Sequence, residues 1–232
     1  MIHLFKADLY RLPREKVGLI PAGILTFLIG MICFFSREYK EVSILSLLGL
    51  ISLVIVLTII SSSLYFWGND FQHRTVNHLI SKQFSRKKIF TYKVLATMLL
   101  SLCYDLFAFV LLGLFRQLFA GVNEWAILAE SFAQSLLFFL VLVTFAILLF
   151  NLFKGNALAI TGYVVYLFFV EQIAMLAVGF ATRSDLLGNI FWVSNYQKSL
   201  QIVTPEMFAF GLVTLLVFLA ASYLLFSKHE LK

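Results

Sequence analysis

The stretch SLLFFLVLVTFAILLF, residues 135–150, decides the fold class. It is apolar on every side, whereas a strand of a membrane β-barrel would alternate apolar and polar residues. The whole chain has a mean hydropathy of +0.94 and only 13% charged residues. That is more apolar sequence than one soluble domain buries in its core. The sequence therefore predicts an integral membrane protein built from helices.

Apolar segments of about 20 residues can cross the roughly 30 Å hydrocarbon core of a bilayer as helices. The predicted fold is all-α and polytopic, a single transmembrane domain over residues 1–232 with six spans: Val17 to Phe35, Val42 to Trp67, Tyr92 to Phe115, Glu130 to Phe153, Asn156 to Phe180 and Glu206 to Ser227. The first span is too long for a removable signal peptide and is not followed by a small-residue cleavage site. Cys33 and Cys103 fall inside spans, where packing is their expected role.

Basic residues are distributed unevenly between the two sides of these spans. Cytoplasmic loops of membrane proteins carry the excess of Lys and Arg, so the richer side is predicted to face the cytoplasm, together with both termini. Trp67 is then expected at the inner interface, and Trp125 and Trp192 at the outer one. Thirteen of the eighteen Lys and Arg lie on the richer side: Lys6, Arg11, Arg14, Lys16, Arg74, Lys82, Arg86, Lys87, Lys88, Lys93, Lys154, Lys228 and Lys232.

Two further segments outside the spans have a recognisable pattern. Residues 1–16 form an amphipathic pattern, with Leu4, Phe5 and Leu9 near one face, and predict an interfacial helix whose bases meet anionic lipid. We interpret this helix as an anchor without transport chemistry. The outer segment 181–205 contains LLGNIFWV, which is too apolar for an exposed loop and predicts short helices that dip into the outer leaflet.

The stretch NDFQHRTVNHLISKQFSRKKIF, residues 69–90, is strongly basic for so apolar a chain. Asn69 is a good N-cap. A helix that starts there has an apolar face with Val76, Leu79, Ile80 and Phe84 and a polar face with Arg74, Asn77, His78 and Ser81. Ser85 can cap a second helix that carries three bases into the third span. One interpretation is that these bases, with Lys93, bind anionic head groups. The mixed polar groups of residues 70–78 favour a second interpretation, a face that docks to a protein.

The residues of this stretch also resemble a known family. Their pattern resembles the segment after the second span in permease subunits of the type-2 ABC export family. It consists of Thr75, three residues, Leu79-Ile80, two residues, Gln83, one residue and Ser85-Arg86. Those permeases usually read Gly-Thr, three residues, two aliphatics, two residues, Pro, one residue and Ser-Arg. Arg74 stands in place of the usual Gly and Gln83 in place of the usual Pro. The short length and the HLFKADLYRL start are similar to bacterial peptide-exporter permeases.

The resemblance implies a division of labour in a bacterial plasma membrane. Residues 69–84 would be the coupling helix, seated in a separate ABC ATPase subunit that binds ATP and Mg. This chain has no G-x-x-x-x-G-K-[ST] loop, so we expect no cofactor in it and no enzymatic activity of its own. The residues expected to contact the ATPase are Asp70, Gln72, His73, Arg74, Asn77, His78 and Ser81. The second expected partner is another permease copy, identical or related.

Two acids and two stripes of small residues mark candidate sites within the spans. Asp105 and Glu171 are costly inside a membrane, so each is expected to face the bundle interior, either as part of a transport pathway or in a structural hydrogen bond, for example to Tyr104 or Gln172. The small-residue stripes allow close helix approach. They predict a dimer interface, with packing inside one subunit as the alternative: Gly23, Thr26 and Gly30 in the first span, and Gly155, Ala159 and Gly162 in the fifth.

Other chemistry has little support in the sequence. His73 and His78 are five residues apart, which does not place two metal ligands on one helical face, and neither a metal nor a nucleic-acid partner is expected. The function that the resemblance implies is export of an amphipathic peptide or lipid-like substrate. The alternative is an ion-coupled carrier or an ATPase-independent immunity protein, in which Asp105 and Glu171 would titrate.

Overall fold

A computed structural model describes Tyr10, Leu12 and residues 19–37, 42–68, 85–153, 155–181 and 191–228. All regular structure in these ranges is helical, and they contain no strand. The all-α prediction is therefore confirmed. The predicted interfacial helix, except for Tyr10 and Leu12, and the whole predicted coupling helix lie outside the described residues.

Eight α-helices are described. They are α1 (Leu19–Phe35), α2 (Ile44–Ser63), α3 (Arg86–Ala120), α4 (Trp125–Leu152), α5 (Asn156–Val165), α6 (Glu171–Ala181), α7 (Trp192–Ser199) and α8 (Pro205–Lys228). Two π-helical segments complete the list: π1 (Leu64–Gly68) extends α2, and π2 (Tyr166–Val170) joins α5 to α6. The helix α7 falls within the outer segment for which short helices were predicted.

Five of the helical stretches are long and apolar enough to cross a membrane. They are Ile44–Gly68, Arg86–Ala120, Trp125–Leu152, Asn156–Ala177 and Pro205–Lys228. The helix α1 is also apolar but has 17 residues, which is about 25 Å of helix. These helices support the prediction of a helical membrane protein, whereas the count of six spans stays a prediction.

The helix α4 is the centre of the bundle. It packs against α2, α3, α5, α7 and α8. Residues 141–147 are all buried, which explains why the stretch 135–150 is apolar on every side: protein, rather than lipid, covers most of it. The helix α1 lies at the periphery and packs mainly on α3.

Local contacts fix the two ends of α3. Its N-cap is Ser85, whose side chain accepts a hydrogen bond from the backbone N–H of Lys88 at 3.4 Å, which confirms the predicted cap. Its C-cap is Gly121, with a left-handed φ of 69° that suits glycine. A Cβ on Gly113 would lie 2.6 Å from the Trp125 ring, so a glycine at this position lets the start of α4 fold closely against α3.

Candidate functional site

Buried aromatic rings surround the point where π1 ends and residues 69–84 begin. Trp67 is fully buried. Its ring centroid lies 5.7 Å from that of Phe90 on α3 and 5.9 Å from that of Phe226 on α8. Phe90 also contacts Tyr223, with 5.3 Å between centroids. We call Trp67, Phe90, Tyr223 and Phe226 the aromatic cluster; it joins π1 to α3 and α8.

Polar contacts hold Trp67 in this cluster. Its indole Nε1 donates to Thr97 Oγ1 at 3.0 Å, and that hydroxyl donates in turn to the carbonyl of Lys93 at 2.8 Å. The Lys93 ammonium lies 5.3 Å from the centroid of the Trp67 ring, within the range of a cation–π interaction. Lys93 therefore corrects a prediction, because its side chain is buried in the bundle rather than directed to the head groups. Trp67 is also buried against its neighbours, and its place at the inner interface stays a prediction.

The start of α3, the first described part of the chain after residue 84, is also fixed. The Arg86 guanidinium donates from Nη1 to the carbonyl of Ser227 at 2.7 Å, which ties the first residue of α3 to the end of α8. Gly68, the last residue of π1, lies against α5, because a Cβ there would be 2.9 Å from Asn156 Oδ1. Parts of α2, α3, α5 and α8 thus meet at the two ends of this segment. The seven residues predicted to contact an ATPase lie between those ends, outside the described residues: Asp70, Gln72, His73, Arg74, Asn77, His78 and Ser81.

Glu171, the first of the two intramembrane acids, binds the N-terminus of α7. Its carboxylate accepts the backbone N–H of Val193 at 3.0 Å and that of Ser194 at 2.6 Å. These amides lie in the first turn of α7, where backbone donors have no partner within the helix. A carboxylate there also interacts favourably with the positive end of the helix dipole. The side chain of Tyr166 hydrogen-bonds to the same carboxylate from the other end of π2.

Asp105, the second acid, binds the same short helix. The hydroxyl of Tyr196, on α7, donates to Asp105 Oδ1 at 3.3 Å, and both side chains are fully buried. Asp105 Oδ2 has no hydrogen-bond partner among the described residues. One residue further along α7, Gln197 Nε2 donates to Ser52 Oγ on α2 at 3.1 Å.

Aromatic packing adds a further attachment for α7. Trp192 stacks on Tyr166 with 5.0 Å between centroids, and it also contacts Phe145 at 4.8 Å and Phe218 at 4.6 Å. The helix α7 is therefore a short polar helix held inside the bundle by α2, α3, α4, π2, α6 and α8. Both acids form structural hydrogen bonds, which were the predicted alternative to a role in a transport pathway. Their partners are α7 groups and Tyr166, rather than Tyr104 or Gln172.

Arg116 organises the end of the bundle opposite the aromatic cluster. It is almost fully buried in α3 and donates from Nη2 to the carbonyl of Val42 at 2.6 Å. Its Nε lies 3.4 Å from Glu124 Oε2, which forms a salt bridge. Arg116 thus joins the connection before α2 to the connection between α3 and α4.

Some residues of each predicted small-residue stripe pack inside this chain. A Cβ on Gly30 would lie 3.4 Å from the Phe115 ring, and a Cβ on Gly162 would lie 3.3 Å from the Phe153 ring. Ala159 is buried, and the Thr26 hydroxyl donates to the carbonyl of Ala22 at 2.8 Å. Gly23 and Gly155, in contrast, have nothing within 4 Å of such a Cβ. Of the stripe glycines, these two leave open space on the surface of the described chain.

Comparison with known protein families finds none that matches this chain. No curated protein matches it either. The resemblance to type-2 ABC permeases therefore depends on the residues between Thr75 and Arg86 and on the arrangement of the spans.

Sequence reasoning missed several residues that organise these sites. Tyr196, Gln197 and Ser52 were not singled out, because each is an ordinary polar residue in its own segment. The available signal for α7 was a cluster of polar residues directly after an apolar run in the outer segment. Such a cluster next to two intramembrane acids could have indicated that the acids bind this segment.

Proposed function

We propose that this chain is the permease subunit of an ATP-driven exporter in a bacterial plasma membrane. In this proposal, residues 69–84 dock to a separate ABC ATPase that binds ATP and Mg, and two permease copies form the transport unit. The substrate would be an amphipathic peptide or a lipid-like molecule that enters from the inner leaflet. The proposed family follows from the motif between Thr75 and Arg86. The proposal that this segment transmits movement to the spans follows from the contacts of the residues on either side of it.

The observation that carries the proposal is the attachment at both ends of residues 69–84. Trp67, two residues before the segment, is fully buried against α3 and α8. Arg86, two residues after it, is hydrogen-bonded to the end of α8. A segment that only bound head groups would need no such attachments. A segment that a motor moves would need them, because the force has to reach the spans.

The proposed mechanism is a rigid-body rocking of the bundle. Protein interiors are close-packed and transmit displacement, so movement of residues 69–84 would pass through the aromatic cluster into α2, α3 and α8. The helix α3 has 35 residues, about 52 Å of helix, and it carries Asp105 near its middle. Its displacement would therefore act on the Tyr196 hydrogen bond and on α7. In this account α7 closes the outer end of the pathway until the bundle moves.

The ion-coupled carrier is less well supported by the contacts of the two acids. A carrier of this kind needs carboxylates that exchange ions or protons with a pathway. Both oxygens of Glu171 already accept amide hydrogen bonds from α7, and Asp105 is buried with one oxygen bonded to Tyr196. The unpartnered Asp105 Oδ2 is the only feature of these contacts that favours the carrier.

Purification from native membranes tests the proposal. The full chain, tagged and extracted in mild detergent, should retain one ATPase subunit per copy and export substrate only with ATP. Replacing Arg74 and His78 by Glu should release the ATPase, because the docking face would change its charge. The control exchanges Lys198, an exposed base on the predicted outer side, for Glu and should retain the ATPase. An ATPase-free preparation with full transport, or a Glu variant that keeps the ATPase and exports normally, would contradict the proposal.

A further inference from the structure

The helical stretch that contains α5 and α6 changes its hydrogen-bond pattern at π2. There the backbone N–H of Glu171 donates to the carbonyl of Tyr166, five residues earlier, instead of the carbonyl four residues earlier as in an α-helix. The segment reads Tyr-Leu-Phe-Phe-Val and contains neither Gly nor Pro, which commonly disturb a helix. Its local sequence is therefore compatible with an ordinary α-helix, so contacts with other parts of the chain have to account for the π-turn.

The two residues that this backbone bond joins are also the two that hold the start of α7. The Tyr166 ring stacks on Trp192, and the Glu171 carboxylate accepts the backbone N–H groups of Val193 and Ser194. In an α-helix, with about 100° of rotation per residue, side chains five positions apart point about 140° away from each other. The π-turn contains one residue more, which brings Tyr166 and Glu171 onto the same face. The extra residue thus allows both side chains to reach α7.

The helix α6 has few attachments that would resist a rotation about its axis. Glu171 is the one buried side chain among residues 171–177, the part of α6 whose side chains are described. Apart from π2, no described element packs extensively against α6. Gln172, Ile173 and Leu176 are exposed at the surface of the bundle. Glu171 is therefore the main attachment of the described part of α6.

An α-helical turn in place of π2 would present a different residue to α7. Without the extra residue in the turn, the positions of α6 rotate by about 100° around the helix axis. Val170, four residues after Tyr166 and 48% exposed in π2, would then lie close to the position that Glu171 now takes. Glu171 would leave the first turn of α7, whose backbone N–H groups would lose their acceptor. The turn therefore stays π-helical as long as Glu171 binds α7.

We propose that π2 is a register switch controlled by α7. While Glu171 binds the start of α7, the π-turn persists; when this contact opens, the turn becomes α-helical and α6 rotates by about 100°. Single π-turns inside helices are rare and occur frequently at functional sites, which agrees with such a role. The end of α7 stays in the bundle, because Tyr196 and Gln197 bind Asp105 and Ser52. The switch is a property of this chain alone, so it can be tested whether or not the exporter proposal holds.

Disulfide trapping in nanodiscs detects the α-helical register. In the full chain with Cys33→Ser and Cys103→Ala, the exchanges Val170→Cys and Ser194→Cys create a pair that comes together after the rotation. Ser194→Cys keeps the backbone N–H that binds Glu171, and position 170 is exposed. Adding Glu171→Leu removes the acceptor and should raise the disulfide yield at least about ten-fold, because losing one hydrogen bond to a carboxylate shifts a two-state equilibrium by about that factor.

The matched control for this pair places the first cysteine at Gln172 instead of Val170. Relative to Tyr166, position 172 points away from α7 in either register. The pair Gln172→Cys and Ser194→Cys should therefore stay at the background yield with and without Glu171→Leu. Equal yields from positions 170 and 172 would overturn the switch.

A second variant opens the same contact from the side of α7 and leaves Glu171 in place. Val193→Pro removes one of the two N–H donors, and proline is tolerated in the first turn of a helix. It should also raise the yield of the disulfide between positions 170 and 194. An unchanged yield in both Glu171→Leu and Val193→Pro would overturn the switch.

Deletion of Phe169, which is 59% exposed, tests whether π2 contains one residue more than an α-helix needs. Without Phe169, Tyr166 and Glu171 are four positions apart, which places them on one face of an ordinary α-helix. The shortened chain should therefore keep the melting temperature of the wild-type chain. Deletion of Leu216, 61% exposed in the continuous helix α8, rotates the two halves of that helix against each other and should lower the melting temperature by about 5 °C or more. An equal decrease for both deletions would overturn the extra residue in π2, and with it the switch.

Discussion

Glu171 Oε1 accepts the backbone N–H of Ser194 over 2.6 Å, across 23 residues of chain. This hydrogen bond joins the start of α6 to the first turn of α7. Together with the bond from Tyr196 to Asp105, it commits both intramembrane acids to one short helix. The acids are therefore best understood as the groups that hold a polar helix inside an apolar bundle, where an unpaired amide would be costly.

We predict that Glu171→Ala destabilises the chain by about 2 kcal/mol, because the first turn of α7 loses its cap and two buried donors lose their acceptor. Glu171→Gln should cost less, since an amide oxygen can still accept one of the two bonds. Thermal unfolding in detergent, followed by tryptophan fluorescence, measures both changes. Gln172→Ala is the matched control at the neighbouring exposed position. Equal melting temperatures for Glu171→Ala and Gln172→Ala would contradict the capping role.

The contact between Tyr196 and Asp105 should show strong coupling in a double-mutant cycle. Tyr196→Phe leaves the buried carboxyl without its hydroxyl donor and should cost about 1 to 3 kcal/mol of unfolding free energy. Adding Asp105→Leu should recover part of that loss, because replacing both partners by apolar groups removes the unpaired acid. Unfolding free energies of the two single variants and the double variant give the coupling. Strictly additive effects would show that the contact contributes nothing.

Gly23 and Gly155 provide a test of the predicted dimer interface. Neither has an atom within 4 Å of the position that a Cβ would take, so Gly23→Leu and Gly155→Leu should leave the single chain folded. Both should weaken the dimer in nanodiscs if the stripes meet between copies, since a Leu side chain prevents close approach. Gly49→Leu is the matched control, because Gly49 has equal open space but lies on neither stripe. A dimer unchanged by Gly23→Leu and Gly155→Leu would mean that the stripes do not form the interface.

Arg86 and Lys87 can separate force transmission from docking. Arg86→Ala removes the hydrogen bond to Ser227 at an exposed position, so the fold should remain intact. If residues 69–84 transmit movement through α8, the variant should still bind the ATPase but export less substrate for each ATP hydrolysed. Lys87→Ala, at the next exposed position, should behave like the wild-type chain. Normal export by Arg86→Ala in proteoliposomes would exclude this contact from the mechanism.

The sequence predicted features that depend on local pattern. The apolar stretch at residues 135–150 predicted helix, and Ser85 was recognised as a cap because a single side chain and the next turn determine an N-cap. Contacts between distant segments were not predictable in the same way. Hydrophobic periodicity shows that Lys93 and Trp67 lie near a helix end, but it does not show that the bundle closes over them. The two backbone N–H groups that hydrogen-bond to Glu171 lie 22 and 23 residues further along the chain, so no local sequence pattern contains them.

Cross-linking from residues 69–84 tests the central claim most directly. In a chain with Cys33→Ser and Cys103→Ala, a single cysteine would be placed at Asn77 on the predicted polar face or at Ile80 on the predicted apolar face. A photoreactive probe on each cysteine would then be activated in native membranes. The account predicts a cross-link to an ATPase subunit from position 77 and not from position 80. Cross-links to lipid alone from both positions, or to the ATPase with equal yield from both, would contradict it.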